Sequence, residues 1–327
     1  MIKHFWGSYL ALAIALAIAL IFWGVSGFYV VALLALLEVS LSFDNAVVNA
    51  KALLQMDLVW RRRFIVWGIP IAVFGMRFLI PVALVWAVSS MTLWQTFAYA
   101  FNDPQRYAEE LKNGEDLIFA FGGAFLLMVA QSFYFDDSRK VYWFDFWENN
   151  RFVQIARRIN TISLIFSALG GIILLYVTKS AAIGIAYFFG VVLYEIIHRA
   201  DALFSAGGGV RNGAIGFIYL ETLDASFSLD GVVGAFALSE NIFVIMLGLG
   251  VGALFVRSIT LFFVRKGTLA EYRYLEHGAY YAIFALALIM LAKIFWHVEE
   301  FITGTISAAF ILLAFWRSVV ANRKSLE

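Results

Sequence analysis

The feature that most constrains this chain is a series of long apolar runs. Residues 10–23 read LALAIALAIALIFW and residues 162–177 read ISLIFSALGGIILLYV, and neither run contains a charged side chain. A helix of about 20 apolar residues crosses the roughly 30 Å hydrocarbon core of a bilayer. The chain is 63% hydrophobic and 14% charged, whereas about 25% charged residues is usual in a soluble domain. The sequence therefore predicts an all-α polytopic membrane protein.

The apolar runs predict about ten transmembrane helices in a single membrane domain, residues 1–327. The predicted spans lie near residues 8–24, 28–54, 64–90, 116–135, 160–178, 181–198, 213–237, 242–264, 278–297 and 301–320. Cytoplasmic loops of membrane proteins carry an excess of Lys and Arg. If the N-terminus is cytoplasmic, the outside loops hold only Arg106, Lys112 and Lys179. We therefore expect both termini in the cytoplasm, with a bacterial inner membrane as the location.

Composition excludes several classes of function. The chain has no Cys, which excludes disulfides, thiolate metal ligands and thiol catalysis. The net charge of +1 and the lack of a basic run give no indication of nucleic-acid binding. Residues 136–158 are rich in aromatic side chains and in charges of both signs, which is typical of a stretch at the membrane interface. We expect this segment to lie on the cytoplasmic surface, and binding of a cytoplasmic partner there is the alternative.

Two short motifs in distant parts of the chain are similar to each other. Residues 41–48 read LSFDNAVV, and residues 227–234 read FSLDGVVG. The aligned pairs are Ser42 and Ser228, Asp44 and Asp230, Asn45 and Gly231, and Glu38 and Asp224, with Glu221 as an additional acid in the second copy. An odd number of predicted spans separates the motifs, so the copies run in opposite directions. Such inverted repeats, here about 28–135 and 213–297, are typical of secondary transporters with a substrate site near mid-membrane.

The acids of the two motifs need partners, because they lie near the middle of predicted spans. A carboxylate at the bilayer centre costs at least about 2.5 kcal/mol. Its partner can be a proton, a bound cation or one of two arginines inside spans, Arg77 and Arg257, each of which follows a Gly by nine residues. We expect these arginines to balance the acids and gate the site when the cation is absent. A static structural ion pair is the alternative.

The spacing of the acids predicts a break in each motif helix. At 100° per residue, Glu38 and Asn45 share one face of a helix, whereas Asp44 lies about 120° from Glu38. The acids of the second motif, Asp224 and Asp230, have the same spacing. Asp-Asn and Asp-Gly pairs readily adopt turn conformations. We therefore expect the motif helices to be broken near Asp44 and Asp230, which would aim both acids of each motif at one point.

The side chains of the motifs offer only oxygen ligands. Carboxylates, an amide and hydroxyls suit the hard divalent cations Mn²⁺, Ca²⁺ and Mg²⁺. The predicted metal-site residues are Glu38, Ser42, Asp44, Asn45, Glu221, Asp224, Ser228 and Asp230. Glu195 and His198 share a face near the end of the predicted span 181–198, where they form either a proton relay or a solvated helix end. We expect the metal to be a substrate and the protein to hold no permanent cofactor.

The motifs also resemble those of a known family. EVSLSFDNAVV (38–48) closely resembles the first motif of the TerC-type integral membrane proteins, named for tellurium resistance, and ETLDASFSLDGVVGAFALS (221–239) resembles their second motif. That family is placed in the lysine-exporter superfamily, whose members are built from three-helix inverted repeats. The resemblance implies a metal exporter with Mn²⁺ as the first candidate. It carries over as metal-site residues Glu38, Asp44, Asn45, Asp224 and Asp230. This chain departs from an even pattern by having Gly231 opposite Asn45.

The leading interpretation is a transporter that exports a hard divalent cation, and not an enzyme. One alternative is an intramembrane hydrolase, in which Asp44 and Asp230 share a proton as an aspartate pair. The other is a membrane anchor of a metal or tellurium stress-resistance complex that uses residues 136–158. The flanking Ser, Asn and Glu oxygens exceed what an aspartate pair needs, and an anchor would leave the acids in mid-membrane unexplained.

Overall fold

The fold is helical almost throughout. The computed structural model describes residues 2–159, 161–205, 214–236, 238–267 and 271–324, and no β-strand runs through these ranges. In chain order the helices are α1 (Ile2–Leu41), α2 (Phe43–Leu54), α3 (Leu58–Pro70), a π-helical segment (Ile71–Leu79), α4 (Ile80–Val88), α5 (Leu93–Asn102), α6 (Pro104–Asn113), α7 (Glu115–Tyr134), α8 (Asp145–Glu148), α9 (Arg151–Arg157), α10 (Ile162–Thr178), α11 (Ala181–Ser205), α12 (Ala214–Phe236), α13 (Ile242–Lys266), α14 (Leu275–Lys293) and α15 (Glu300–Lys324). The predicted all-α fold is confirmed.

The helices also have the length and composition of a membrane protein. Seven segments of the described ranges are long and apolar enough to cross a bilayer: Phe5–Leu41, Leu58–Val88, Glu115–Tyr134, Ala181–Arg199, Ile242–Lys266, Leu275–Lys293 and Phe301–Arg323. Helix α10 is apolar but shorter, with 17 residues. The chain is therefore a polytopic membrane protein, as predicted. The count of ten crossings, the repeat boundaries and the cytoplasmic termini stay predictions.

The first long helix, α1, is a hairpin of two helices. Its backbone turns at Gly24 (φ 67°, ψ −159°), a conformation that glycine adopts at little cost. Before the turn, Ser8 donates a hydrogen bond to the carbonyl of Leu254 (3.1 Å). After it, Glu38 packs against Gly252, so the chain has returned to the same part of α13. The hairpin accounts for the boundary between the first two predicted spans.

The predicted break near Asp44 is present only as a one-residue interruption, because helical hydrogen bonds from Ser42 N–H to the carbonyl of Glu38 (3.0 Å) and from Ala46 N–H to the carbonyl of Ser42 (3.2 Å) cross it. Ser42 (φ −105°, ψ 18°) separates α1 from α2, two residues before Asp44. Helix α12, in contrast, continues through Asp230 and Gly231, so the predicted break near Asp230 is wrong. Gly231 lies within the continuous helix and not at a turn, and a Cβ at this position would lie 3.5 Å from Oε2 of Glu38, an ordinary van der Waals distance.

The helix that carries Arg77 is widened around it. Pro70 and Pro81 flank the π-helical segment, and a proline has no N–H to donate to a preceding carbonyl. Nη1 of Arg77 donates to the carbonyl of Ala72 (3.1 Å), five residues earlier. Because π-helical turns are frequent at functional sites, this local geometry marks Arg77 as more than a packing residue.

The aromatic segment 136–158 folds back onto the helices. Its buried Glu148 accepts a hydrogen bond from the hydroxyl of Tyr281 on α14 (3.0 Å). Phe146 and Trp147 next to it stay 80% and 69% exposed. One side of the segment is thus anchored on the helices and the other exposes aromatic rings, and both the interfacial location and the alternative of a bound partner stay predictions.

Candidate functional site

The two sequence motifs meet at a small polar cavity between α1, α2, α12 and α13, referred to below as the central cavity. It has a volume of about 10 Å³, which is about the space of one water molecule. Its polar lining is entirely buried and consists of Glu38, Asn45, Asn49, Arg77, Asp224, Arg257 and Thr260. Residues separated by most of the chain thus surround one point, as the inverted repeat predicts.

Two amide side chains of α2 face the second motif across the central cavity. Nδ2 of Asn45 donates to Oδ1 of Asp224 (2.6 Å), and Nδ2 of Asn49 approaches the same oxygen at 3.4 Å. The other end of each amide is an acceptor. Oδ1 of Asn45 and Oδ1 of Asn49 are buried and receive no hydrogen bond from the described residues. Buried acceptors without a donor are rare in proteins, and these two lie beside carboxylates.

The first arginine lies against the acid of its own repeat. Nη2 of Arg77 donates to Oε1 of Glu38 in a salt bridge with both side chains 2% exposed. The hydroxyl of Ser42 donates to the same oxygen (3.0 Å). Ser42 therefore serves Glu38 from the helix break, one turn along the chain, and is not placed to bind an ion independently of it.

The second arginine has a looser contact with an acid. Nη2 of Arg257 lies 3.7 Å from Oε1 of Glu221, and its Nη1 donates to the carbonyl of Phe64 (3.0 Å). The guanidinium also covers Gly68, where a Cβ would lie 1.6 Å from Nη1. The lack of a side chain at Gly68, in the first predicted repeat, thus leaves space for Arg257 of the second. Both arginines lie next to acids, as the charge-balancing role predicted for them requires.

The remaining motif residues lie outside the lining of the central cavity. Asp44 is fully buried, and neither carboxylate oxygen has a hydrogen-bond partner among the described residues. Asp230, its counterpart in the alignment, accepts from Nζ of Lys293 at 2.7 Å. The hydroxyl of Ser228 is buried, and within the described ranges it makes no hydrogen bond. The predicted ligand set is therefore divided between at least two places.

Four of the five motif carboxylates lie next to different partners, and Asp44 has none among the described residues. In the part of the chain that the structure describes, no three His, Cys, Asp or Glu side chains gather closely enough to hold one metal ion. Arg77 pairs with Glu38, Arg257 lies next to Glu221, Lys293 pairs with Asp230, and both amides approach Asp224. The single cluster of carboxylates that the sequence predicts is not formed in this conformation. The central cavity still offers two carboxylates, two amide oxygens and the hydroxyl of Thr260.

Two larger cavities lie at opposite ends of the bundle. One, the Lys51 vestibule, has a volume of about 860 Å³ and is lined by Lys51 and the C-terminal end of α7. The other, the Lys293 vestibule, has a volume of about 620 Å³ and is lined by Lys293 and the N-terminal end of α7. Helix α7 has 20 residues, a length of about 30 Å. Because Phe119 lines the Lys293 vestibule and Ser132 lines the Lys51 vestibule, about 20 Å of this helix separates them.

The predicted relay residues line the Lys51 vestibule. Glu195 accepts from Nε of Arg199 (2.8 Å), one turn further along α11. The ring of His198 stacks on Tyr194, with 5.5 Å between the ring centroids. Both residues therefore line the Lys51 vestibule and not the central cavity. Their role as a relay stays a prediction.

Sequence reasoning missed three residues of this region: Asn49 and Thr260 as lining of the central cavity, and Lys293. A signal for Lys293 was present, because it is a cation inside the predicted span 278–297, where an ionisable residue is costly and usually functional. Asn49 lies one turn beyond Asn45 on the same helix face. Thr260 carried no signal, since a lone Thr in a membrane helix usually bonds to its own backbone, as this one does to Val256.

The fold and the site together define a polytopic α-helical membrane protein with a buried, charged cavity between two similar motifs. Residues 43–325 match the model of a family described as a protein of unknown function (DUF475), and since this match covers most of the chain, the protein belongs to that family. No curated protein and no solved structure matches the chain. The family description assigns no activity, so the resemblance to the TerC-type proteins stays a prediction.

Proposed function

We propose that this protein is a secondary transporter of a hard divalent cation, with the central cavity as its substrate site. The observation that carries this proposal is the pair of buried amide oxygens, on Asn45 and Asn49, that receive no hydrogen bond from the described residues beside the carboxylate of Asp224. A cation satisfies such oxygens, whereas an anion would be repelled by them. Oxygen ligands of this kind suit Mn²⁺, Ca²⁺ and Mg²⁺.

The charges around the motifs support a divalent substrate. The buried acids of the two motifs number five, namely Glu38, Asp44, Glu221, Asp224 and Asp230. The cations that face them number three, namely Arg77, Arg257 and Lys293. If all of these groups are ionised, two negative charges are left over in a region of low dielectric, where uncompensated charge is costly. One divalent cation, or two protons, would neutralise them.

The positions of the cavities support transport over permanent storage of an ion. The central cavity lies between a vestibule at each end of the bundle, and transporters of this architecture bind substrate midway between two alternately open sides. The preference for Mn²⁺ and for export comes from the resemblance to the TerC-type proteins and not from the geometry. A bacterial inner membrane and cytoplasmic termini belong to the same proposal.

The geometry favours neither of the two alternatives. An aspartate pair requires two carboxyl groups that share a proton. Here Asp230 is paired with Lys293, and the described residues include no hydrogen-bond partner for Asp44. A role as an anchor would rest on residues 136–158 alone and would leave the central cavity without a purpose.

The test is cation flux into liposomes that contain the purified full-length protein, measured separately for Mn²⁺, Ca²⁺, Mg²⁺ and Zn²⁺. We expect flux of Mn²⁺, and we expect Asp224→Asn and Asp44→Asn to lower it by at least about 100-fold, because Asp224 lines the central cavity and Asp44 is a buried acid next to the lining residue Asn45. The matched control is Asp145→Asn, which removes an exposed carboxylate of the segment 136–158 and should keep normal flux.

Two results would contradict the proposal. One is the lack of flux for all four cations in liposomes that contain correctly inserted protein. The other is normal flux in Asp224→Asn and Asp44→Asn, which would place the substrate path elsewhere in the molecule.

A further inference from the structure

Lys293 is an unusual cation for the interior of a membrane protein. It is the last residue of α14, and its side chain is only 4% exposed. Nζ lies 2.7 Å from Oδ1 of Asp230, whose side chain is 2% exposed. The ammonium also lies 5.3 Å from the centroid of the Phe119 ring. A lysine is rarely buried to this extent, and here both members of the pair come from parts of the chain 63 residues apart.

The pair lies between the central cavity and one vestibule. Gly231, the neighbour of Asp230, is close enough to the central cavity that a Cβ there would be 3.5 Å from Oε2 of Glu38. On its other side, Lys293 lines the Lys293 vestibule together with Glu115, Asp116 and Glu240. The amine therefore has acids on both sides of its position, the buried Asp230 and those of the vestibule.

The opposite end of the bundle has a similar pair in a different setting. Lys51 lines the Lys51 vestibule and forms a salt bridge with Glu276. These side chains are 33% and 29% exposed, in contrast to 4% and 2% for Lys293 and Asp230. An ion pair that water reaches is weak, whereas a buried one is costly to open without a replacement. The two ends of the bundle are thus closed to different degrees.

We propose that Lys293 is an internal substitute for the substrate cation, and that it holds Asp230 until a divalent cation displaces it. This inference rests on the proposed function and deepens it, since it assigns the competitor of the substrate at one carboxylate. The ammonium lies 2.7 Å from Oδ1 of Asp230, and its positive charge opposes the binding of a second cation to the same carboxylate. The displaced ammonium has the acids of the Lys293 vestibule as its next partners. The pair therefore closes that end of the path when no substrate is bound.

The first experiment measures Mn²⁺ binding to the full-length protein in detergent by titration calorimetry. We expect Lys293→Met to bind Mn²⁺ more tightly than wild type, and the gain is about tenfold for a competitor that occupies the site for about nine tenths of the time. The matched control is Lys51→Met, which removes the lysine of the other vestibule and should change the affinity by less than about twofold.

A double variant keeps this test informative if Lys293→Met is poorly folded. Its partner Asp230 would then be buried without a cation, which destabilises a protein strongly. Lys293→Met combined with Asp230→Asn removes both charges, and it should bind Mn²⁺ with the same affinity as Asp230→Asn alone. An effect of Lys293→Met that persists in the Asp230→Asn background would overturn the competition, because the lysine would then act through another group.

A second measurement needs no substitution. Competition predicts that saturating Mn²⁺ increases chemical labelling of the Lys293 amine, quantified by mass spectrometry, while labelling of Lys51 stays constant. If Mn²⁺ binds to wild type but neither the affinity of Lys293→Met nor the labelling of Lys293 changes, this inference is wrong and the proposed function is unaffected. If wild type binds no Mn²⁺, Ca²⁺ or Mg²⁺ at all, the proposed function fails and this inference fails with it.

Discussion

The two motifs are similar in sequence and different in structure. In the first, the chain breaks at Ser42 and continues as α2, and Asp44 is buried with no hydrogen-bond partner among the residues that the structure describes. In the second, α12 is continuous and Asp230 is held by Lys293. A symmetric ligand cage would require the same environment for both aspartates. For the proposed transporter, we interpret this difference as one of two alternating conformations, in which Asp230 is paired with a cation and Asp44 is not.

The arginines show the same asymmetry. Arg77 donates directly to Glu38, whereas Arg257 is 3.7 Å from Glu221 and gives its hydrogen bond to a backbone carbonyl. If the repeats exchange conformations during transport, the closer and the looser contact should exchange as well. Matched substitutions in the two halves should therefore change the free energy of unfolding by different amounts.

The largest difference in stability should be between the Asp230→Asn and Asp44→Asn variants. Asp230→Asn leaves the ammonium of Lys293 buried without its carboxylate, and breaking a buried ion pair in this way costs about 3 kcal/mol or more. Asp44→Asn removes a carboxyl group that has no partner within the described ranges, and because an unpaired buried charge is costly, the variant should be at least as stable as wild type. Thermal unfolding of both variants in the same detergent measures the difference. Equal destabilisation would show that Asp44 is held by a cation or a group that these contacts do not reveal.

A smaller difference in stability is expected between Gly252→Ala and Gly231→Ala, two substitutions at helix contacts. A Cβ at Gly252 would lie 2.4 Å from Cβ of Glu38 and 2.9 Å from the carbonyl of Ala35, so Gly252→Ala should force α1 from α13 and destabilise by about 1–3 kcal/mol. A Cβ at Gly231 meets nothing closer than 3.5 Å. Gly231→Ala should therefore be neutral or stabilising by about 0.5–1 kcal/mol, as expected for alanine in a helix. Unfolding curves that rank the two variants in the opposite order would contradict the packing described for Glu38.

The smallest difference in stability is expected between Ser42→Ala and Ser228→Ala. Ser42 donates to Oε1 of Glu38 at 3.0 Å, so Ser42→Ala should cost about 1 kcal/mol, the usual contribution of one hydrogen bond. The hydroxyl of Ser228 is buried and makes no hydrogen bond to the described residues, so Ser228→Ala should have no measurable cost. A larger effect for Ser228→Ala in the same unfolding assay would indicate that Ser228 has a partner in the membrane-embedded protein.

Much of the fold was predictable from the sequence, because long apolar runs in a membrane protein have one solution, the helix. The meeting of the motifs was predictable as well, since the repeat places Glu38 and Asp224 at similar depths in opposite directions. Breaks were predicted in both motif helices, but only the one in the first motif is present. Asp-Asn and Asp-Gly are both turn-forming pairs, yet α12 stays helical through Gly231, so its tertiary setting overrides the local preference.

The pairing of the charges was predictable only in part. The sequence indicates that acids in mid-membrane need cations, and Arg77 and Arg257 do lie beside acids. The sequence does not indicate that Lys293, near the end of a helix, reaches Asp230, because that contact depends on how α14 packs against α12. The oxygens of Asn45 and Asn49 that lack donors among the described residues become evident only once the hydrogen bonds of Asp224 are known.

The central claim is that a divalent cation binds in the central cavity, and the most direct test is a structure of the protein soaked in Mn²⁺ with the anomalous signal of manganese recorded. The account predicts one strong peak within bonding distance of Asp224 and the amide oxygens of Asn45 and Asn49, with Arg77 or Arg257 moved away from its acid. No anomalous peak in the central cavity at saturating Mn²⁺, with both arginines still on Glu38 and Glu221, would contradict it.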